Sequence, residues 1–163
     1  MLTVEYTGFD AAATDIILGF QSGNDAVEFT GPVAKLIDAN KNGSIDWTYG
    51  VGEKTVVAAG IEAVEISTIN PLLIADTPTA KSFTVGTLNK MLDLREMKEG
   101  ADLLILANNL DTSVLFHFSD TNGNKQIDMD EYEVIFVAAR GAVNQDDIQV
   151  IGTYVPPSSP LEI

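Results

Sequence analysis

The amino-acid order predicts a mainly β fold with minor α, made of antiparallel strands and hairpins plus one helix near 84-98. Three observations carry this expectation. Apolar residues recur at period two, as in Val114, Phe116 and Phe118 against Ser113, His117 and Ser119. β-branched and aromatic residues fill whole segments, such as Tyr132 to Ala138. Only one long stretch carries helical spacing, through Val85, Leu88, Met91 or Leu92, and Arg95.

In chain order, Leu2-Thr3-Val4-Glu5-Tyr6 alternates as a first strand. Small residues from Asp10 to Thr14 lead into Ile16 to Phe20. Gln21 to Asp25 is turn chemistry, and Ala26 to Phe29 is the next strand, so residues 1–37 read as short strands and turns. Glu53 to Ala59 is a candidate short helix, Ile61 to Ile66 a strand and Asp76 to Thr79 a turn. The helix near 84-98 opens on Thr84 as N-cap and stops near Lys98, with Gly100 as terminator. Leu103 to Ala107 is an unbroken apolar run, which marks a buried strand. Asn108 to Asp111 then turns into strand 113–119. Asn144 is placed to cap one short turn through Asp146 and Asp147, ahead of a strand from Ile148 to Ile151. No linker divides the chain. Residues 1-155 are expected to form one β-rich module, and 156-163 a mobile Pro/Ser tail.

The 163 residues are 45% hydrophobic and only 20% charged, which favours a folded globule over an acidic disordered segment. The charge is lopsided, with 24 acidic against 9 basic residues and a net charge of −15. Such a surface repels nucleic acid and anionic membranes, so neither is expected as a partner. Cysteine is absent, which removes disulfides and thiolate-bound zinc. No run approaches the ~18 apolar residues of a membrane span, so no membrane insertion is expected. The first residues carry no basic region followed by an apolar run. Export, if it occurs, is therefore expected to use a C-terminal signal or a larger parent protein.

Asp120-Thr121-Asn122-Gly123-Asn124-Lys125-Gln126-Ile127-Asp128-Met129-Asp130-Glu131 places oxygens at loop positions 1, 3, 5 and 9 and a glutamate at 12. Ca²⁺ takes six to eight hard oxygen ligands, and this spacing supplies them. Asp120, Asn122 and Asn124 are short side chains, Gln126 offers its backbone carbonyl, Asp128 a further oxygen, and Glu131 a bidentate carboxylate. Lys125 stands at position 6, where a glycine is usual, so the sharp bend there is in question. The flanks read as strands, so the loop is expected to tie a β-hairpin. A helix pair that opens on binding is disfavoured.

A second copy runs from Asp38 through Asn40, Asn42 and Ser44 to Asp46, with Gly43 at position 6 and Ile45 at 8. Position 12 is Tyr49, so Glu53 or water would have to complete that shell. Asp10, Asp15, Asp25 and Asp76 remain open as further ligands.

Catalysis has little to work with. His117 is the one histidine and is expected on the strand face away from the core; no Gly-x-Ser-x-Gly elbow or phosphate loop is present. No enzymatic role is expected. Trp47 is expected to pack its loop onto the core, with sugar stacking as the alternative.

Two stretches resemble a known family. Asp15 to Phe29 is similar to the strand–turn–strand entry to the C-terminal region of RTX-type bacterial exoproteins, which leave the cell by type I secretion. Residues 101–151 resemble the end of the same region, with a strand pair, an Asp-x-Asn-x-Asn hairpin and a closing strand after Asn144 to Asp147. The glycine-rich nonapeptide repeats of that family are not in this chain. The resemblance implies a secreted or cell-surface bacterial module that folds or rigidifies on Ca²⁺ after export. The alternative is a Ca²⁺-dependent carbohydrate- or protein-binding adhesion module, its partner a cell-surface glycan or protein.

Overall fold

The computed structural model describes residues 1–9, 14–50, 54–67 and 78–156. Its centre is a hairpin of β8 (Asp102–Asn109) and β9 (Thr112–Ser119), continued antiparallel by β10 (Tyr132–Ala139). These strands form the middle of a six-stranded sheet. β2 (Asp15–Leu18) closes the edge beside β10, while β6 (Ala63–Ser67) and then β4 (Trp47–Gly50) extend the sheet beyond β8. The mainly β reading therefore holds, and the hairpins fall where alternation placed them.

The arrangement is more parallel than expected. Of the eight pairings among the described strands, only β8–β9 and β9–β10 are antiparallel. β6 and β8 run parallel because the chain between them crosses over through α2 (Pro78–Met91), the connection that parallel neighbours require. A separate three-stranded parallel sheet joins β1 (Thr3–Tyr6), β3 (Ala26–Phe29) and β11 (Ile148–Val150).

Successive side chains of a strand point to opposite faces, and the central strands are apolar on both. One face carries Leu104, Leu106 and Leu115, which pack with Val27 and Phe29 of β3 and with Val33, Ala34 and Ile37 of α1 (Gly31–Ile37). The other carries Leu103, Ile105, Phe116 and Phe118, which pack with Leu88 of α2 and with Leu92, Leu94 and Met97 beyond it. A register shift between Val134 and Phe136 makes a bulge in β10. It lets Ile135 and Phe136, adjacent in sequence, enter the same core.

Several expected elements need correcting. The helix covers 78–91, earlier than 84-98, and Thr84 lies inside it with its hydroxyl donating to the Ala80 carbonyl at 3.0 Å. It stops at Met91 because Leu92 and Asp93 pair as β7 with β5 (Thr55–Val56), so the 53–59 helix is replaced by a short strand. Gly100 does adopt a positive φ, of 77°, but in a turn nine residues after the helix. α1 was not expected. Pro at its start and buried Val33, Ala34 and Ile37 on one side are the signals for it. Asn144 does cap the 3-10 turn Gln145–Asp147: its N–H donates to Asp147 Oδ2 at 2.9 Å and its carbonyl accepts from the Asp147 N–H at 3.0 Å. Glu53, Asp10, Asp76 and the tail from 157 lie outside the described residues. No described helix is long and apolar enough to cross a membrane.

Candidate metal centre

The 120–131 loop joins β9 to β10 directly, so the hairpin placement inferred from its flanks holds. Its apolar eighth residue, Ile127, is fully buried in the second core. Its first and last carboxylates are also buried, with Asp120 at 1% and Glu131 at 8% exposure. Burying an ionised carboxylate is costly unless every oxygen finds a partner. Here one oxygen of each does. Glu131 Oε2 accepts from the Thr121 N–H at 2.6 Å, the Thr121 hydroxyl at 2.9 Å and the Asn122 N–H at 3.2 Å. Asp120 Oδ2 accepts from the Lys125 N–H at 3.1 Å. Among the described residues, nothing donates a hydrogen bond to the buried Asp120 Oδ1 and Glu131 Oε1.

Between these ends the asparagines shape the turn. Asn122 Oδ1 accepts from the Asn124 N–H at 3.0 Å, and Asn124 Oδ1 from the Gln126 N–H at 2.9 Å. Both amide groups donate to Asp128 Oδ2, at 2.9 and 2.6 Å. The Asn122 and then the Asn124 hydrogen bond hold the Asp128 carboxyl below its usual range. Gly123 and Lys125 take the left-handed conformation, with φ of 72° and 60°. Lys125 thus makes the bend expected of glycine, and its ammonium reaches the Met97 carbonyl.

The 38–46 loop repeats this pattern. Asn42 N–H donates to Asn40 Oδ1 at 3.1 Å, and Ser44 N–H to Asn42 Oδ1 at 3.0 Å. Gly43 N–H donates to Asp38 Oδ2 at 2.9 Å, and both asparagine amides donate to Asp46. Positive φ again falls at positions 4 and 6, but with the residue types exchanged: Lys41 and Gly43 here, Gly123 and Lys125 there. Ile45 is buried in the first core, and Trp47 packs half-buried against the same core.

Position 12 is where the two loops differ. Tyr49 is half exposed on β4 and bonds to Ser67. The carboxylate that reaches this loop is Glu62, just ahead of β6. Its Oε1 accepts from the Asp46 N–H at 2.9 Å, and its Oε2 is 3.4 Å from the Asn40 N–H. Glu131 holds the N–H of position 3 in its own loop in the same way. Glu62 is only 5% exposed, and that burial, with Asp46 beside it, pushes its pKa up to about 7. No local spacing points to Glu62; it arrives because β4 and β6 pair, with Trp47 opposite Ala63.

Among the described residues, no three His, Cys, Asp or Glu side chains are drawn together as a metal group. Half of the oxygens that each loop offers come from amides and carbonyls, and the asparagine side-chain N–H groups face the carboxylate at position 9, Asp46 in one loop and Asp128 in the other. No family model matches the chain, and no curated protein or solved structure shows significant similarity to it.

Two further candidates, Asp25 and His117, have structural partners. Asp25 is buried and accepts from the N–H groups of Leu2 at 2.7 Å and Gln21 at 2.8 Å. His117 is not turned to solvent. It stacks on Phe9 at 4.5 Å between centroids, with Nε2 2.7 Å from Asp102 and Nδ1 3.1 Å from Glu133.

Proposed function

We propose that this chain is a calcium-binding structural module of an exported protein, in which Ca²⁺ locks the 120–131 loop across the β9–β10 hairpin. One observation carries the reading: two buried carboxylate oxygens, on Asp120 and Glu131, have no hydrogen-bond donor among the described residues, at opposite ends of a loop with calcium-ligand spacing. An orphaned buried acceptor costs about 1–3 kcal/mol, more when charged. A cation between the two ends removes that cost. Asp120, Asn122, Asn124, the Gln126 carbonyl, Asp128 and Glu131 would hold it, supplying the hard oxygen ligands that Ca²⁺ takes.

The 38–46 loop is the second position, through Asp38, Asn40, Asn42, the Ser44 carbonyl and Asp46, with Glu62 supplying the carboxylate that Tyr49 cannot. Two ions reduce the net charge of −15 to about −11 and relieve self-repulsion. The resemblance to the C-terminal region of type I secreted exoproteins favours action after export, where calcium is abundant.

Extracellular calcium modules bind at about 10⁻⁴–10⁻³ M. At ten times Kd, one site adds roughly 1.4 kcal/mol to folding. For a chain of this size that is roughly 3–6 °C in Tm. Thermal melts in millimolar calcium and in EGTA are expected to differ by at least this amount, and coincident melts would overturn the reading. Metal analysis tests the second position. The Glu62→Gln variant is expected to hold one ion fewer than the parent chain, whereas Glu53→Gln holds the same number. The reverse pattern would return the ligand to Glu53.

A further inference from the structure

We infer that Asn89, on the last turn of α2, is a positioning residue that aims a backbone carbonyl at the calcium ion of the 120–131 loop. The inference rests on the calcium reading of that loop. The Asn89 side chain clamps a single residue from both sides of its amide: Oδ1 accepts from the Ile127 N–H at 2.9 Å, and Nδ2 donates to the Ile127 carbonyl at 2.9 Å. It does for Ile127 what a neighbouring β-strand would do, offering one acceptor and one donor side by side.

The consequence for the metal follows from the rigidity of the peptide unit. The Ile127 N–H and the Gln126 carbonyl belong to one planar group, and no described peptide bond is cis. In a trans peptide the N–H and C=O point in opposite directions. Fixing the N–H towards α2 therefore turns the Gln126 carbonyl away from α2, into the loop. That carbonyl is the position-7 oxygen, the one ligand in the loop supplied by the backbone. Burial of Ile127 sets where the residue sits, but it leaves rotation of this peptide plane free. Asn89 removes that freedom. Two further ties hold the same segment to the chain after α2: the Lys125 ammonium on the Met97 carbonyl, and the Gly100 N–H on the Asp120 carbonyl at 2.9 Å.

Groups that orient a metal ligand typically contribute 10–100-fold to affinity. The test uses calcium titration together with terbium placed in the same loop, whose luminescence lifetimes in H₂O and D₂O count bound water. Asn89→Ala is expected to bind calcium about tenfold more weakly and to carry about one more bound water, because the Gln126 carbonyl is no longer held on the ion. A substitution that merely loosened packing would lower Tm without adding that water. Asn89→Asp keeps the shape but sets a carboxylate oxygen against the Ile127 carbonyl in place of the Nδ2 donor, so it too is expected to bind calcium more weakly and to carry the added water. It decides the matter alone if the alanine variant does not fold: parent affinity and parent hydration in Asn89→Asp overturn the inference. Unchanged affinity and hydration in Asn89→Ala, while Glu131→Gln still removes an ion, also overturns it and leaves the calcium reading standing. A parent chain that takes up neither metal would end both.

Discussion

Replacing Glu131 by glutamine is expected to remove one calcium ion per chain and most of that loop's calcium-dependent rise in Tm. The substitution keeps the shape and one oxygen, so the bonds from Thr121 and Asn122 to Oε2 retain an acceptor. What is lost is the second oxygen, buried and with no hydrogen-bond donor among the described residues, and the negative charge. A bidentate carboxylate is the strongest single ligand such a loop offers, and about 100-fold in affinity is a reasonable measure of it. At a calcium concentration of ten times the parent Kd, the roughly 1.4 kcal/mol of linkage then falls below about 0.1 kcal/mol. In chelator the variant should lose little, because it no longer buries an uncompensated charge. Melts with and without calcium, paired with a metal count, check this. An unchanged ion count with an undiminished calcium shift would show that Glu131 is not a ligand.

Ile127→Ala is expected to produce the larger loss of stability, and to produce it with or without calcium. Ile127 is fully buried among Leu88, Leu92, Phe116 and Phe118 in the second core. Truncating such a side chain to alanine costs about 2–5 kcal/mol through lost transfer energy and the cavity left behind. For this chain length that is roughly 4–20 °C in Tm. Glu131→Gln moves only the calcium-dependent part, whereas Ile127→Ala lowers the melt in chelator as well. The contrast separates the loop's two roles, as ligand set and as anchor. A denaturant midpoint for Ile127→Ala within about 0.5 kcal/mol of the parent would mean that the loop is not pinned to the core as the structure places it.

What could be read from the sequence was local. The β9–loop–β10 hairpin was legible because period-two alternation on both sides of the loop decides strand over helix, and the loop's ligand spacing is itself a local pattern. The Asn144 cap was legible for the same reason: Asn144 and Asp147 stand three residues apart and satisfy each other. His117 was misplaced because alternation assigns it to a face but cannot tell that the face is covered. Phe9, Asp102 and Glu133 cover it, and they come from three separate parts of the chain. Thr84 looked like a helix start by residue type, yet its hydroxyl bonds back to Ala80 inside a helix already under way.

The sequence by itself determined that two loops carry oxygens at calcium spacing, that β-strands flank the better one, and that the surface is strongly acidic. Tertiary structure alone decided that Glu62 stands where the first loop lacks its glutamate, that Asn89 grips Ile127, and that most pairs among the described strands run parallel. The division has a physical reason. Ligand spacing and alternation are set by dihedral angles over a few residues, whereas Glu62 and Asn89 reach their loops only through sheet register and helix docking, which no short window of sequence contains.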